Sequence, residues 1–275
     1  ELMHNMIYSN KNYAKKEKCM FAIDYNTYRT VQAFNTRARF LVLHYTALDF
    51  SASVKALTGK TVSAHYLIPD PTDPSYLNAG FKELKIFNLV DEQARAWHAG
   101  VSDWSGRNNL NDTSIGIEIV NQASEKDGVF TFPEYHPQQI EAVIALAKNI
   151  IQRYPEIVPA HVIGHSDINF INKSDPGPRF PWHHLYQHGI GIWYDEAKKK
   201  ECLPQYQFQL MSREFILAIL RGYGYKAPND ISEKNYQLLI RAFQMHFRPS
   251  NFDGKVDAET CAILAALQEK YGLAK

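Results

Sequence analysis

Five short apolar runs, each bounded by turn-forming residues, constrain the fold of this chain more than any other feature. Phe40–Tyr45, Val62–Ile68, Lys85–Val90, Ser114–Val120 and His161–His165 are rich in β-branched and aromatic side chains. Their length suits buried strands and is too short for helices that stand alone. The segments between them are loop-rich, notably Pro69–Asn78 and Gly100–Thr113. One segment breaks the pattern. From Pro137 to Tyr154, Ile140, Val143, Ile144, Ala147, Ile150, Ile151 and Tyr154 recur at the spacing of one helical face. Pro137 suits a first helical position, where its missing N–H costs nothing. Strands separated by long loops and helices predict an α/β domain, with a mixed central sheet flanked by helices.

Beyond about residue 205 the periodicity becomes helical throughout. Ser212, Ser232 and Asp257 each stand where a cap is expected, ahead of three short amphipathic segments. The expected organisation is a lead-in over 1–37, an α/β domain over 38–195, a linker over 196–205 and a small three-helix C-terminal domain over 206–275. A length of 275 residues is compatible with one large and one small domain at roughly 150 residues each. The basic cluster Lys11, Lys15, Lys16 and Lys18 reads as a solvated face.

Charge narrows the partners. With 30 Lys+Arg against 29 Asp+Glu the formal net charge is +1, so nothing points to nucleic acid. No apolar run is long enough to span a bilayer. Cys19, Cys202 and Cys261 are odd in number and far apart, and read as incidental thiols. The chain starts at Glu1 without a basic-then-apolar leader, as expected of a trimmed or mature form.

The 11 histidines are on the generous side. His44 is placed at the end of the first strand, His165 at the end of the last, and Asp175 follows in Asn172–Pro178. Two imidazoles and a carboxylate would form a three-ligand zinc site with one position left for water. By the two-residue period of a strand, Glu118 shares a face with Gly116, opposite Ile115, Ile117 and Ile119. It could accept a proton from such a water, and Lys173 could place positive charge near a developing oxyanion. Residue type and spacing leave a plainer reading open for each: a hydrogen-bonded histidine, a turn at Asp-Pro-Gly-Pro, a solvated edge carboxylate.

Six ordered blocks add a resemblance. Leu43–Thr46, Ser63–Ile68, Ala96–Gly100, Asn111–Glu118, Gly164–Asp167 and Lys173–Pro178 together resemble the zinc-dependent type-2 N-acetylmuramoyl-L-alanine amidases, relatives of phage amidases and peptidoglycan-recognition proteins. The likeness spans roughly 38–190, and is nearest to the long envelope form with an added C-terminal module. Residues 205–273 resemble a three-helix peptidoglycan-binding domain, notably at Ala242–Gln244 and Phe252–Thr260.

The resemblance implies one Zn²⁺ held by His44, His165 and Asp175, the all-N/O version of a ligand set in which relatives can place Cys at the third position. It implies Glu118 as proton shuttle and Lys173 as stabiliser of the tetrahedral intermediate. His65, Trp97 and His98 fall in its blocks, with support of the site or contact with substrate both open. The implied reaction is hydrolysis of the amide joining the lactyl group of N-acetylmuramic acid to the L-alanine of the stem peptide. The expected partners are peptidoglycan and muropeptides, the expected state a monomer. The expected place is the bacterial envelope, in the periplasm, with an outer-membrane anchor through a lipidated cysteine outside this chain. Three alternatives remain: a non-catalytic recognition module of the same fold, a zinc peptidase acting within the stem peptide, and C-terminal helices that bind a protein partner.

Overall fold

The computed structural model describes residues 22–274, so the lysine cluster 11–18 and Cys19 lie outside the described residues. The chain divides into two units, 1–35 and 36–275. The described residues of the first unit, 22–35, carry no helix or strand.

The second unit is built on a five-stranded sheet. Its strands are β1 (Phe40–Tyr45), β2 (Tyr66–Ile68), β3 (Phe87–Asn88), β6 (Ser114–Ile119) and β9 (Val162–Gly164), in the order β3-β2-β6-β1-β9. β1 runs parallel to β6 and β9, and β2 parallel to β6, while β3 is antiparallel to β2. The mixed sheet expected from the sequence is therefore present. The Val62–Ile68 run is shorter as a strand than its apolar composition suggested, because the Val62–His65 backbone is spent on connections. Ser63 N–H donates to the Trp97 carbonyl and His65 N–H to that of Gly116, at 3.1 Å each.

Two short hairpins lie outside the sheet: β4 (Asp103–Trp104) with β5 (Arg107–Asn108), and β7 (Ser124–Lys126) with β8 (Val129–Thr131). Helices α1 (Phe50–Leu57) and α2 (Pro74–Asn78) enclose a small aromatic cluster. In it, the Phe50 and Tyr76 rings meet edge to face at 4.9 Å. Helix α3 (Pro137–Arg153) buries Ile140, Val143, Ile144, Ala147 and Ile150, the face its periodicity predicts. At its C-terminal end Arg153 and Tyr154 reach Glu92, as does Tyr66 on β2.

Burial alone would raise the Glu92 carboxyl, but hydrogen bonds from Arg153, Tyr66 and Tyr154 outweigh it and bring it down to about 2. A carboxyl depressed in the folded state stabilises above its ordinary value, and loses that contribution as pH falls toward its folded value. Glu92→Gln should therefore cost roughly 1 kcal/mol near pH 7, allowing for solvent screening. The gap should close by about pH 2, the folded value of the carboxyl. Thermal melts of both proteins across that range check it. A gap that widens on acidification would contradict the assignment.

After α4 (His165–Ile168) and α5 (Trp182–Gln187) the chain enters α6 (Glu196–Phe208), α7 (Arg213–Tyr223), α8 (Glu233–Phe247) and α9 (Ala258–Tyr271). Ser212, Ser232 and Asp257 cap α7, α8 and α9 as expected. The segment 196–205, expected as a linker, lies instead within α6. Asp195 caps that helix by accepting from the Ala197 and Lys198 N–H groups. Its weak apolar pattern hid it, since none of its residues is buried.

The C-terminal helices also share a buried cluster with the sheet, so the boundary read near residue 200 is not a break in the core. Trp104 is wholly buried against Tyr223 and Tyr225, and a Cβ at Gly224 would stand 2.2 Å from its ring. Gln244, in the Ala242–Gln244 block, donates to the Lys255 carbonyl and accepts from the Gly254 N–H. That bond joins the two C-terminal blocks singled out by resemblance and gives both a folding role.

Candidate metal centre

Parallel pairing of β1 and β6 places His44 directly opposite Glu118, with Val42 opposite Gly116. His165 is not at a strand end, as its sequence suggested, but opens α4 immediately after β9. The Asp175 loop is drawn onto this edge. Ser166 N–H donates to the Asp175 carbonyl at 2.8 Å, and the Tyr135 hydroxyl to the Pro176 carbonyl at 2.6 Å. Gly164 permits the approach, since a Cβ there would stand 2.5 Å from Pro176 Cδ.

These elements bring His44, His165 and Asp175 into one buried cluster. His44 Nδ1 lies 3.0 Å from His165 Nδ1, and Asp175 Oδ2 lies 2.9 and 3.1 Å from those two nitrogens. The far ring nitrogens fix which atoms face the centre. His165 Nε2–H donates to the Ala99 carbonyl at 3.1 Å, so its Nδ1 carries a lone pair. With a lone pair on His44 Nδ1 as well, a chain of donors runs outward. His44 Nε2–H donates to His98 Nδ1 at 2.9 Å, and His98 Nε2–H to Ser114 Oγ at 3.0 Å. Burial, then the neighbouring His165, push the His44 imidazole down to about 4, favouring the neutral form that binds metals. Burial alone would raise the Asp175 carboxyl, but the His165 and His44 imidazoles hold it far below the usual range. Two imidazole nitrogens and a carboxylate converging on one point fit a single metal ion.

Glu118 stands beside this cluster, and its Oε2 is buried without a hydrogen-bond partner among the described residues. Desolvation, reinforced by the Asp175 charge, pushes its carboxyl well up, with Lys173 pulling the other way. Lys173 is exposed at the rim of the same cleft, of about 890 Å³.

The remaining family-block residues separate by position. His98 is buried behind His44, within hydrogen-bonding distance of its Nε2. His65 is wholly buried, accepting from the Gly116 N–H and donating to the Ala94 carbonyl, both at 3.0 Å. It joins β6 to the 94–98 segment and is not among the residues lining the cleft. Trp97 is 52% exposed on the cleft wall and takes no part in the core.

Several contributors escaped sequence reasoning. Asn111 Oδ1 accepts from the His98 and Ala99 N–H groups. Asp167 accepts from the Gly164 N–H at 2.8 Å, from the Tyr225 hydroxyl, and from His246 Nδ1 at 2.9 Å, so the C-terminal region braces Asp167, two residues after His165. Asn111 and Asp167 stood inside the recognised blocks. Tyr225 and His246 gave no signal, because only the fold brings them 58 and 79 residues back along the chain.

Gly116 has its own part. A Cβ there would stand 2.4 Å from the His98 ring. Gly116→Ala should therefore displace His98, cost about 1–3 kcal/mol of stability and weaken metal retention. Calorimetry and metal titration of the variant check both, and unchanged metal affinity would show that His98 does not orient His44.

Two imidazoles and a carboxylate gathered at the edge of a mixed sheet, beside a glutamate whose Oε2 has no hydrogen-bond partner among the described residues and in an open cleft, define a metal-dependent hydrolase. Comparison with known proteins narrows the class. The N-acetylmuramoyl-L-alanine amidase family model matches residues 34–178, and the chain belongs to that family. It is 46% identical to the N-acetylmuramoyl-L-alanine amidase AmiD of Escherichia coli, over 90% of this chain and 88% of AmiD. The structure of AmpDh3 from Pseudomonas aeruginosa in complex with anhydromuramic pentapeptide is similar at 59% identity, with a TM-score of 0.88 over 92% of this chain and 99% of that one. The complex of E. coli AmiD with anhydro-N-acetylmuramic acid-L-Ala-D-γ-Glu-L-Lys is similar at 43% identity and a TM-score of 0.80, over 94% and 98%. Both likenesses run through the C-terminal helices.

Proposed function

We propose that this amidase works with one zinc ion held by His44, His165 and Asp175, that Glu118 is its proton shuttle, and that Lys173 stabilises the charge that develops on the substrate carbonyl oxygen. The observation that carries the reading is Glu118: opposite His44 in the sheet, beside the three donors, and with an unpartnered carboxylate oxygen. Two nitrogens and one oxygen suit zinc, and three protein ligands leave a fourth position for water. Zinc bound there supplies Lewis acidity and a water that ionises near neutral pH.

The chain's own residues do the rest. Glu118 takes the proton of the attacking water, and its desolvated carboxyl holds that proton until the L-alanine nitrogen departs with it. Lys173 brings positive charge to the oxyanion from the rim, and Trp97 offers an exposed indole for the sugar or peptide. His98 and Ser114 hold the His44 ring in its metal-binding tautomer.

The substrates are peptidoglycan fragments in which the lactyl group of N-acetylmuramic acid is joined to L-alanine. The ligands bound by the two relatives extend this to 1,6-anhydro muropeptides. The C-terminal helices contact the wall polymer, a role supported by their sequence resemblance to peptidoglycan-binding domains. An envelope location follows from that substrate, and no described helix is long and apolar enough to cross a membrane. The complete ligand set argues against a recognition module that has lost catalysis.

The purified protein should contain about one zinc per chain, the number a single three-ligand site holds. Chelation should abolish release of stem peptide, and added Zn²⁺ should restore it. Full turnover in metal-stripped protein would overturn the zinc assignment.

A further inference from the structure

Helix α8 presents two faces. Leu239, Ile240, Phe243 and Phe247 are buried in the core, while Lys234, Leu238 and Arg241, at i, i+4 and i+7, line the same cleft as Glu118 and Asp175. The guanidinium of Arg241 is held in place but not neutralised. Its Nη2 donates to Ser174 Oγ at 3.2 Å, its Cζ lies 5.0 Å from the centroid of the Phe130 ring, and its Nε is buried without a partner among the described residues. By contrast, Arg213 pairs with Glu233, Arg248 pairs with Asp257 and Glu259, and Arg221 donates to the Ala227 carbonyl and Asn229. Arg241 and Lys234 form no ion pair among the described residues. Glu125, on β7 at the cleft, acts on Arg241 only at a distance.

A partly desolvated guanidinium without a counter-ion is costly to keep unless a ligand completes it, and its planar fork matches a carboxylate. We infer that α8 supplies a carboxylate subsite to the cleft, with Arg241 as its inner cation and Lys234 as its outer one, and that its ligand is the free α-carboxylate of a γ-linked D-glutamyl residue in the stem peptide. The identity of that ligand rests on the muropeptide reading above. Linkage through the side chain leaves the α-carboxyl of D-glutamate unsubstituted, one residue beyond the L-alanine whose amide is cut. Ser174, which Arg241 holds, immediately precedes Asp175, so the subsite adjoins the metal ligands.

The test has a kinetic and a binding arm. In the first, kcat/KM is measured on three muropeptides: one with the free D-glutamyl α-carboxylate, one amidated at that carboxyl, and one amidated only at the C-terminus of the stem. The native enzyme should prefer the first over the second by roughly 10-fold, carried mainly by KM. Arg241→Gln should bring that ratio near one, Arg241→Lys should keep part of it, and Lys234→Gln should change it less. In the second arm, calorimetry follows the tripeptide L-Ala-γ-D-Glu-L-Lys, which should bind Arg241→Gln roughly 10-fold more weakly than the native chain.

A native preference that survives Arg241→Gln unchanged overturns the proposal, as does equal tripeptide affinity in the two proteins. Selective loss on the C-terminally amidated substrate overturns the assignment to D-glutamate. Failure of the native enzyme to cut any of the three, with the tripeptide still bound through Arg241, would sink the amidase reading and leave the subsite standing.

Discussion

Glu118→Gln should keep its zinc and lose at least about 10²-fold in kcat, the usual contribution of a positioned general base. The substitution preserves shape and removes only the ability to take and return a proton. Since Glu118 donates to and accepts from none of His44, His165 and Asp175, the ligand cluster should be unaffected, and metal content should match the native chain. The variant should also be at least as stable as the native protein. The carboxyl is pushed well up by desolvation, so the fold gains nothing from its charge. Kinetics, metal analysis and a thermal melt on one preparation separate these effects. Near-native turnover would remove Glu118 from the mechanism, whereas loss of zinc would make it a ligand.

Asp175→Ala should have the larger effect, abolishing both metal binding and activity. Outer partners of metal ligands typically contribute 10–100-fold in affinity, and a direct ligand contributes more. The loss should extend to structure, because His44 Nδ1 and His165 Nδ1 would be left 3.0 Å apart without their shared carboxylate. Spectroscopic titration with Co²⁺ in place of zinc would read affinity directly. Retained tight binding would mean that the third ligand lies elsewhere.

Much of this architecture is legible in the amino-acid sequence, for identifiable reasons. The Phe40–Tyr45 and Ser114–Ile119 runs are central strands buried on both faces, so their apolar character is strong. Their parity also placed Gly116 and Glu118 on one side. The α3 face and the three C-terminal caps were legible because caps and periodicity are local. What is non-local was not. His165 looked like the end of a strand, yet the chain turns into a helix at that residue. Residues 196–205 read as a linker because α6 buries no side chain. The Asp167–His246–Tyr225 contact and the α8 wall of the cleft depend on elements far apart in sequence, and no local pattern encodes them. They change the picture of the C-terminal helices from an appended module to part of the body that holds the site.

Mass spectrometry of muropeptides and purified sacculi after digestion, with and without a zinc chelator, tests the central claim most directly. Cleavage by metal, Glu118 and Lys173 at the lactyl amide predicts intact stem peptides beginning with L-alanine, together with glycans bearing free lactyl groups, and neither product in the chelated reaction. Fragments cut within the stem peptide, or the same products in the presence of chelator, would contradict it.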